Sequence, residues 1–330
     1  MESLHPGRKL RVEPASADAS FRRYFRVFIE GDEPPRIVME APVEHEDCRP
    51  FVHAAGLLHA AGINAPRILA SDLDRGFLLL TDLGRTTYLQ ALTSDPSLAD
   101  TLYRAAIEAL VRMQSDTPAA SLPPYDEALL MREMRLFPDW YMTRHRGIAP
   151  TAKDESVLAR AFGLLVANNL AQPRVFVHRD YHSRNLMLTR PGAGEGEVPG
   201  VLDFQDAVRG PITYDLVSLL KDAYIEWEEE QVLDWAIRYW ESARTAGLAV
   251  HPEFGEFYRD FEWMGLQRHL KILGIFARLN HRDGKAQYLD DLPLVMRYTR
   301  RACERYDVFT PLLRLLDRIE NTAVRSGYTF

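Results

Sequence analysis

The stretch from Val175 to Leu188, V-F-V-H-R-D-Y-H-S-R-N-L-M-L, carries the spacing H-x-D-x-x-x-x-N between two short apolar runs. Val175-Phe176-Val177 and Leu186-Met187-Leu188 have the composition of buried strands, so the polar residues belong to a loop held between them. The turn-rich Pro191-Gly192-Ala193-Gly194 follows, and Val201-Leu202 then leads directly into a second acid, Asp203, in V-L-D-F-Q-D. Strand, polar loop, strand, turn, strand and acid in that order leave few folds open to the chain.

The residue types in that layout match phosphoryl transfer. Such chemistry needs one carboxylate near the acceptor hydroxyl, and an amide oxygen with a second carboxylate to hold Mg²⁺ against nucleotide phosphates. A kinase catalytic loop places its base five residues before its asparagine, and Asp180 precedes Asn185 by the same step. Asp180 is therefore the expected base, accepting the proton of the attacking hydroxyl. Asn185 and Asp203 are the expected ligands of Mg²⁺. His178 is expected to order the loop backbone rather than to react. A lone H-x-D is common in ordinary turns; the combination with Asn185 and Asp203 is what carries weight.

Composition narrows the partners. A chain of 330 residues, 46% hydrophobic and 26% charged, has material for two lobes with buried cores. A net charge of −7 offers no general attraction to nucleic acid or an anionic membrane, so neither is an expected partner. Cys48 and Cys303 form no C-x-x-C arrangement, which suggests neither a zinc site nor a disulfide framework. The amino-terminal segment lacks the apolar core of a signal peptide, and no apolar stretch approaches the roughly 20 residues that span a bilayer. A cytoplasmic location is expected, with no obligate protein partner.

Along the chain, Phe21 to Ile29 and Arg36 to Glu40 read as a hairpin around the turn Gly31 to Pro35. From Arg49 to Ala61, Phe51, Ala54, Ala55 and Leu58 recur at helical steps, with Gly62 placed to end the helix. Pro66 to Ala70 and Gly76 to Leu80 read as a second pair of strands. After Thr81-Asp82-Leu83-Gly84 the periodicity becomes helical: Ser97 to Gln114, Tyr125 to Phe137, Lys153 to Leu170, Tyr214 to Ala223, Glu228 to Ala246, Glu253 to Asn280 and Leu292 to Asp307. The expected class is α+β, with a small β-rich lobe over 1–81, a connection over 82–85 and a large helical lobe over 86–330.

These features together resemble the aminoglycoside phosphotransferase-like superfamily, which shares the bilobal protein-kinase fold. The strings S-A-D-A-S-F-R-R-Y-F-R-V, C-R-P-F-V, R-G-F-L-L-L, V-H-R-D-Y-x-x-R-N-L-M, V-L-D-F-Q-D-A-V-x-G-P-x-T-Y-D and Q-R-H-L-K-x-x-G-I-F-A-R look most like the bacterial anomeric amino-sugar kinases that act on N-acetylmuramate and N-acetylglucosamine. The likeness runs from about Ser16 to the region of Asp291. It implies an ATP-dependent enzyme of peptidoglycan recycling that phosphorylates the C1 hydroxyl, a group acidic enough for a modest base. It also implies that Asp215 braces the catalytic loop by accepting its backbone N–H groups.

For the nucleotide, Ser20, Arg22 and Arg23 occupy the place of the kinase phosphate loop, but without its glycines. Asp82 and Leu83 stand where the interlobe connection offers backbone groups to adenine. The superfamily's strand lysine is missing: Met39 and Glu40 hold its position, and no lysine lies between Lys9 and Lys153. Glu44 and Glu46 then become acids of a helix start. On the sugar side, Arg268, Lys271 and Arg278 share a helix face: such a basic stripe suits the lactyl carboxylate of N-acetylmuramate, with His269 or Gln267 near the acetamido group, or equally a solvated face or salt bridges between helices. Phe137 to Tyr141 offers aromatic surface for a sugar ring or for the core. Asp206 suits the sugar, a second metal or a helix cap. Two other functions remain open: a kinase of another small hydroxylated metabolite, such as an aminoglycoside drawn to the acids from Asp222 to Glu230, and a pseudokinase that binds nucleotide without turnover.

Overall fold

The computed structural model describes residues 7–17, 21–189 and 196–321. In chain order, β1 (Leu10–Ala17), β2 (Arg23–Ile29), β3 (Asp32–Glu40), α1 (Arg49–Ala60), β4 (Ile68–Asp72), β5 (Phe77–Thr81), α2 (Tyr88–Ser94) and α3 (Ala99–Asp116) come first. They are followed by α4 (Glu127–Leu136), the π-helical turn Phe137–His145, α5 (Ala152–Ala171), β6 (Arg174–Val177), β7 (Leu186–Met187), β8 (Gly200–Val201) and β9 (Val208–Pro211). The rest is α6 (Tyr214–Leu220), α7 (Glu229–Thr245), α8 (Phe254–Asp283), α9 (Leu292–Arg305) and α10 (Thr310–Glu320). The chain folds as two compact units, Met1–Pro118 with Arg184–Ala207, and Ala119–Ser183 with Val208–Phe330.

The first unit is built on an antiparallel sheet of order β1-β2-β3-β5-β4. Val27, Ile29, Met39 and Leu78 to Leu80 are its buried apolar residues, Leu79 on the face opposite Leu78 and Leu80, and α1 buries Phe51, Ala54, Ala55 and Leu58 at the three- and four-residue steps of an amphipathic helix. Gly76 closes the sheet where no other residue fits: its φ is +73°, and an added Cβ would lie 1.9 Å from the Ala41 carbonyl oxygen. β1 was not anticipated from the sequence. It is an edge strand with Val12 exposed and Pro14 inside it, so it pairs through its backbone and shows no apolar face. β3 also starts earlier than expected, at Asp32, because the register slips between Val27 and Ile29 and absorbs Pro34 and Pro35.

The second unit is mainly helical, and α8 runs through it, packed by α4, α5, α6, α9 and the π-helical turn. Its burial from Phe261 to Leu279 is nearly continuous, as a helix surrounded on all sides requires. At Gly274 an added Cβ would sit 2.3 Å from the Leu136 carbonyl carbon, so the absence of a side chain lets α8 touch the backbone at the end of α4. The helix expected over Tyr125 to Phe137 is shorter. Asp126 caps it by accepting the Leu129 N–H at 2.9 Å, and Pro138, with no N–H to donate, diverts the chain into the π-helical turn. β9, α2 and α10 had also gone unread. Among the described residues no helix is long and apolar enough to cross a membrane.

Candidate active site

In the second unit β6 pairs with β9 and delivers the chain to His178. The fully buried Asp215, in the first turn of α6, accepts the His178 backbone N–H at 2.6 Å and that of Arg179 at 2.9 Å. Arg179 has a φ of +77°, a left-handed conformation that a non-glycine residue holds only when its surroundings impose it. The Asp180 N–H then turns back to His178 Nδ1 at 3.3 Å. Further along, buried Asp222 accepts the backbone N–H of Ser183 at 3.0 Å and its hydroxyl as well. Two aspartates, one in α6 and one just past it, thus hold the loop on both sides of Asp180.

Asp180 is half-buried. Burial pushes its carboxyl up, but Lys271, His182, Arg179 and Arg268 together outweigh that and hold it below the ordinary carboxylate range. The result is an ionised acceptor among cations. Burial pushes Asp215 the other way, to about 7, against the pull of the two N–H donors.

Arg268, His269 and Lys271 lie on α8 and are all buried, so they form no solvated basic stripe. Arg268 Nη2 donates to Ser218 Oγ at 2.7 Å, and Lys271 Nζ donates to the Tyr214 hydroxyl at 2.9 Å. His269 stacks on Tyr298 with its Nε2 3.1 Å from the Lys221 carbonyl oxygen, and burial lowers its pKa to about 3. Phe137 and Tyr141 are core residues stacked on each other, and Glu229 and Glu230 are the first turn of α7.

In the first unit, β7 and β8 form a two-stranded ladder flanked by Asn185 and Asp203, with the Leu202 N–H donating to the Asn185 carbonyl at 2.9 Å. Asn185 Nδ2 lies 3.1 Å from Asp203 Oδ2, and Gln205 Nε2 donates to Asp203 Oδ1 at 2.8 Å. Asp203 is a second non-glycine residue in the left-handed region, with φ +66°. Both residues line a cavity of about 390 Å³, together with Arg184, Arg26, Asp82 and Leu83. An amide and a carboxylate in contact, beside a Gln205 Oε1 that is buried without a hydrogen-bond partner, are hard oxygen donors of the kind Mg²⁺ takes when phosphates and water complete its shell. The residues fit that ion.

Asp82 has a task of its own. Its carboxylate takes Arg26 through two nitrogens, Arg26 also donates to the Gly84 carbonyl at 2.6 Å, and the Gly84 N–H returns to Asp82 at 3.0 Å. That clamp ties β2 to the segment after β5. Arg22 pairs with Glu46 at 2.8 Å and Arg23 with Glu40 at 2.7 Å, neither against the cavity; Ser20 lies outside the described residues. Glu46 is thus an ion-pair partner, and the first turn of α1 holds no acid, which corrects the expected role of Glu44 and Glu46. Asp206 is exposed in a turn before β9, and no helix begins there for it to cap.

Three residues that hold these segments were not given that part in the sequence. Asp222, read only as the first of an acidic stretch, and Glu133 are buried acids, which only the rule that buried charges need partners would have marked. Arg26 sits in the alternating pattern of β2 and looked like any strand arginine.

A family model described as the phosphotransferase enzyme family matches residues 11–249. A Pseudomonas aeruginosa protein named N-acetylmuramate/N-acetylglucosamine kinase is 52% identical over 92% of this chain and 87% of its own length. A Neisseria meningitidis protein of the same name is 45% identical over 100% of this chain and 97% of its own. Among solved structures, the GDP complex of aminoglycoside 2'-phosphotransferase-IIIa superposes with a TM-score of 0.61 at 14% identity, covering 91% of this chain and 96% of that one. At that identity the likeness speaks for the fold, which is protein-kinase-like.

Proposed function

We propose that this chain, which belongs to the phosphotransferase enzyme family, is an ATP-dependent amino-sugar kinase acting on the C1 hydroxyl of N-acetylmuramate and N-acetylglucosamine. The observation that carries the sugar is the 52% identity, over 92% of the chain, to a kinase named for those two compounds. Residues 1–81 would serve as the nucleotide lobe, 82–85 as the connection and 86–330 as the helical lobe with the sugar site.

Asp180 takes the role of base. Its carboxylate is kept ionised by Lys271, Arg179, His182 and Arg268, so it can accept the hydroxyl proton as the bond to phosphorus forms. The cations that keep it charged also make it a weak base, and an anomeric hydroxyl, more acidic than an ordinary alcohol, suits a weak base. Asp215 and Asp222 hold the loop so that the carboxylate meets the acceptor without reorganising. Asn185 and Asp203 would hold Mg²⁺, which when bound neutralises charge on the phosphate oxygens. The cavity beside them would take the nucleotide, with the backbone of Asp82 and Leu83 at the base. Arg22, Arg23 and Ser20 are candidates for the phosphates, and Arg268, His269, Lys271 and Asp206 for the sugar.

Release of ADP from Mg-ATP, measured with each amino sugar and with kanamycin, tests this activity. Turnover with the amino sugars alone is expected; turnover with kanamycin alone would contradict it.

A further inference from the structure

One acid in the second unit is bound more extensively than any role given so far requires. Glu133, on α4, is 5% exposed. Its Oε1 accepts Arg179 Nη2 at 2.5 Å and Lys271 Nζ at 3.2 Å, while its Oε2 accepts the Tyr125 hydroxyl and Gln267 Nε2, the latter at 3.3 Å. Burial pushes the Glu133 carboxyl up, but Lys271 and Arg179 outweigh that and keep it low. Burial likewise lowers Lys271, and Glu133, Tyr214 and Asp180 more than restore it. All three are therefore charged at neutral pH.

The two cations that share this carboxylate both act on Asp180. Arg179 is its chain neighbour, in a left-handed conformation fixed at the backbone by Asp215 and at the guanidinium by Glu133. Lys271 acts on Asp180 more strongly than any other cation. Glu133 offsets one of the positive charges, Arg179, Lys271 and Arg268, that surround Asp180. A buried ion-pair network adds little stability over apolar residues of the same volume, so one placed beside a base calls for a reason other than folding. Gly274 sets the geometry. It lies one turn after Lys271 on α8, it touches the backbone of Leu136 one turn after Glu133 on α4, and it lets the two side chains meet.

We propose that Glu133 is the positioning residue of the phosphoryl-transfer centre, fixing Arg179 and Lys271 so that Asp180 is held in place and the positive charge around it is reduced by one. The assignment rests on Asp180 being the base. The titratable and charged groups facing Asp180 are Lys271 and Arg268 from α8, Arg179 and His182 from its own loop, and Asp215 from α6.

The test uses the full chain with Glu133→Gln, Lys271→Met and the double variant. It reads kcat, KM, melting temperature and the Asp180 carboxyl pKa, the last by ¹³C NMR. Glu133→Gln leaves Asp180 facing an excess cation: its pKa falls and kcat drops by about tenfold or more, while KM for ATP holds. Lys271→Met raises the Asp180 pKa by at least about one unit. The double variant returns the pKa towards wild type and recovers part of the kcat lost in Glu133→Gln. Melting temperatures that fall while the Asp180 pKa stays the same in every soluble variant would overturn the proposal. If Glu133→Gln does not fold, an unmoved pKa in Lys271→Met overturns it alone. Because the NMR readout needs no acceptor, a wild-type protein that fails to phosphorylate either sugar refutes the proposed function without deciding this point.

Discussion

Asn185 Nδ2 and Asp203 Oδ2 stand 3.1 Å apart although 18 residues separate them in the chain, because the β7–β8 ladder folds one flank onto the other. The left-handed backbone of Asp203 is part of that placement. Replacing Asp203 with alanine is expected to lower kcat by at least about a hundredfold, as loss of a metal-holding carboxylate does. Calorimetry should show weaker binding of Mg-ATP with metal-free ATP little changed. Equal loss for both would mean that Asp203 serves the nucleotide rather than the ion.

Asp180→Asn keeps the shape of the side chain and removes its basicity. Turnover is expected to fall by at least about a hundredfold, the scale of a lost general base. Nucleotide affinity should remain near wild type. A variant with full turnover would show that another group takes the proton.

His269 makes stability depend on pH. Its imidazole has a pKa near 3 in the folded protein, held down by burial, against about 6.5 when unfolded. Between those values the unfolded chain binds the extra proton, so folding loses stability as pH falls from about 6.5 towards 3, by up to roughly 1.4 kcal/mol per pH unit. Urea unfolding of wild type and His269→Asn across that window should show a shallower slope in the variant.

Gly274→Ala places a methyl group against the Leu136 backbone. Overpacking of this kind costs about 1–3 kcal/mol, and the lowered melting temperature should come with reduced kcat, because the same contact brings Lys271 to Glu133. A stable variant with normal turnover would separate the helix contact from the site.

Arg26→Met removes the clamp on Asp82 and the Gly84 carbonyl. KM for ATP is expected to rise about tenfold with KM for the sugar unchanged, since the clamp shapes only the wall of the cavity.

The loop from His178 to Asn185 was legible because its residues are tied to apolar strands of fixed spacing, and α1, α3, α5, α7, α8 and α9 because their apolar faces repeat at helical steps. β1 was not, since an edge strand pairs by backbone alone and Val12 faces water. The shortening of α4 was written in Pro138, whose ring allows a helix to be entered but not continued. The buried state of Arg268, His269 and Lys271 could not be read from their spacing, because a helix packed on every side shows charged residues on the same steps as an exposed one. Only the partners, Ser218, the Lys221 carbonyl, Tyr214 and Glu133, distinguish the two cases, and those lie 50, 48, 57 and 138 residues away. The K-x-x-G of Q-R-H-L-K-x-x-G-I-F-A-R gains a physical meaning in the same way: a charge to be buried, and one turn later the gap that lets its partner approach.

The position of the phosphate on the product tests the central claim most directly. After incubation with Mg-ATP and N-acetylmuramate or N-acetylglucosamine, ³¹P and ¹³C NMR should show phosphorus coupled to C1 of the sugar. Phosphorus coupled to C6, or inorganic phosphate with the sugar unchanged, would contradict it.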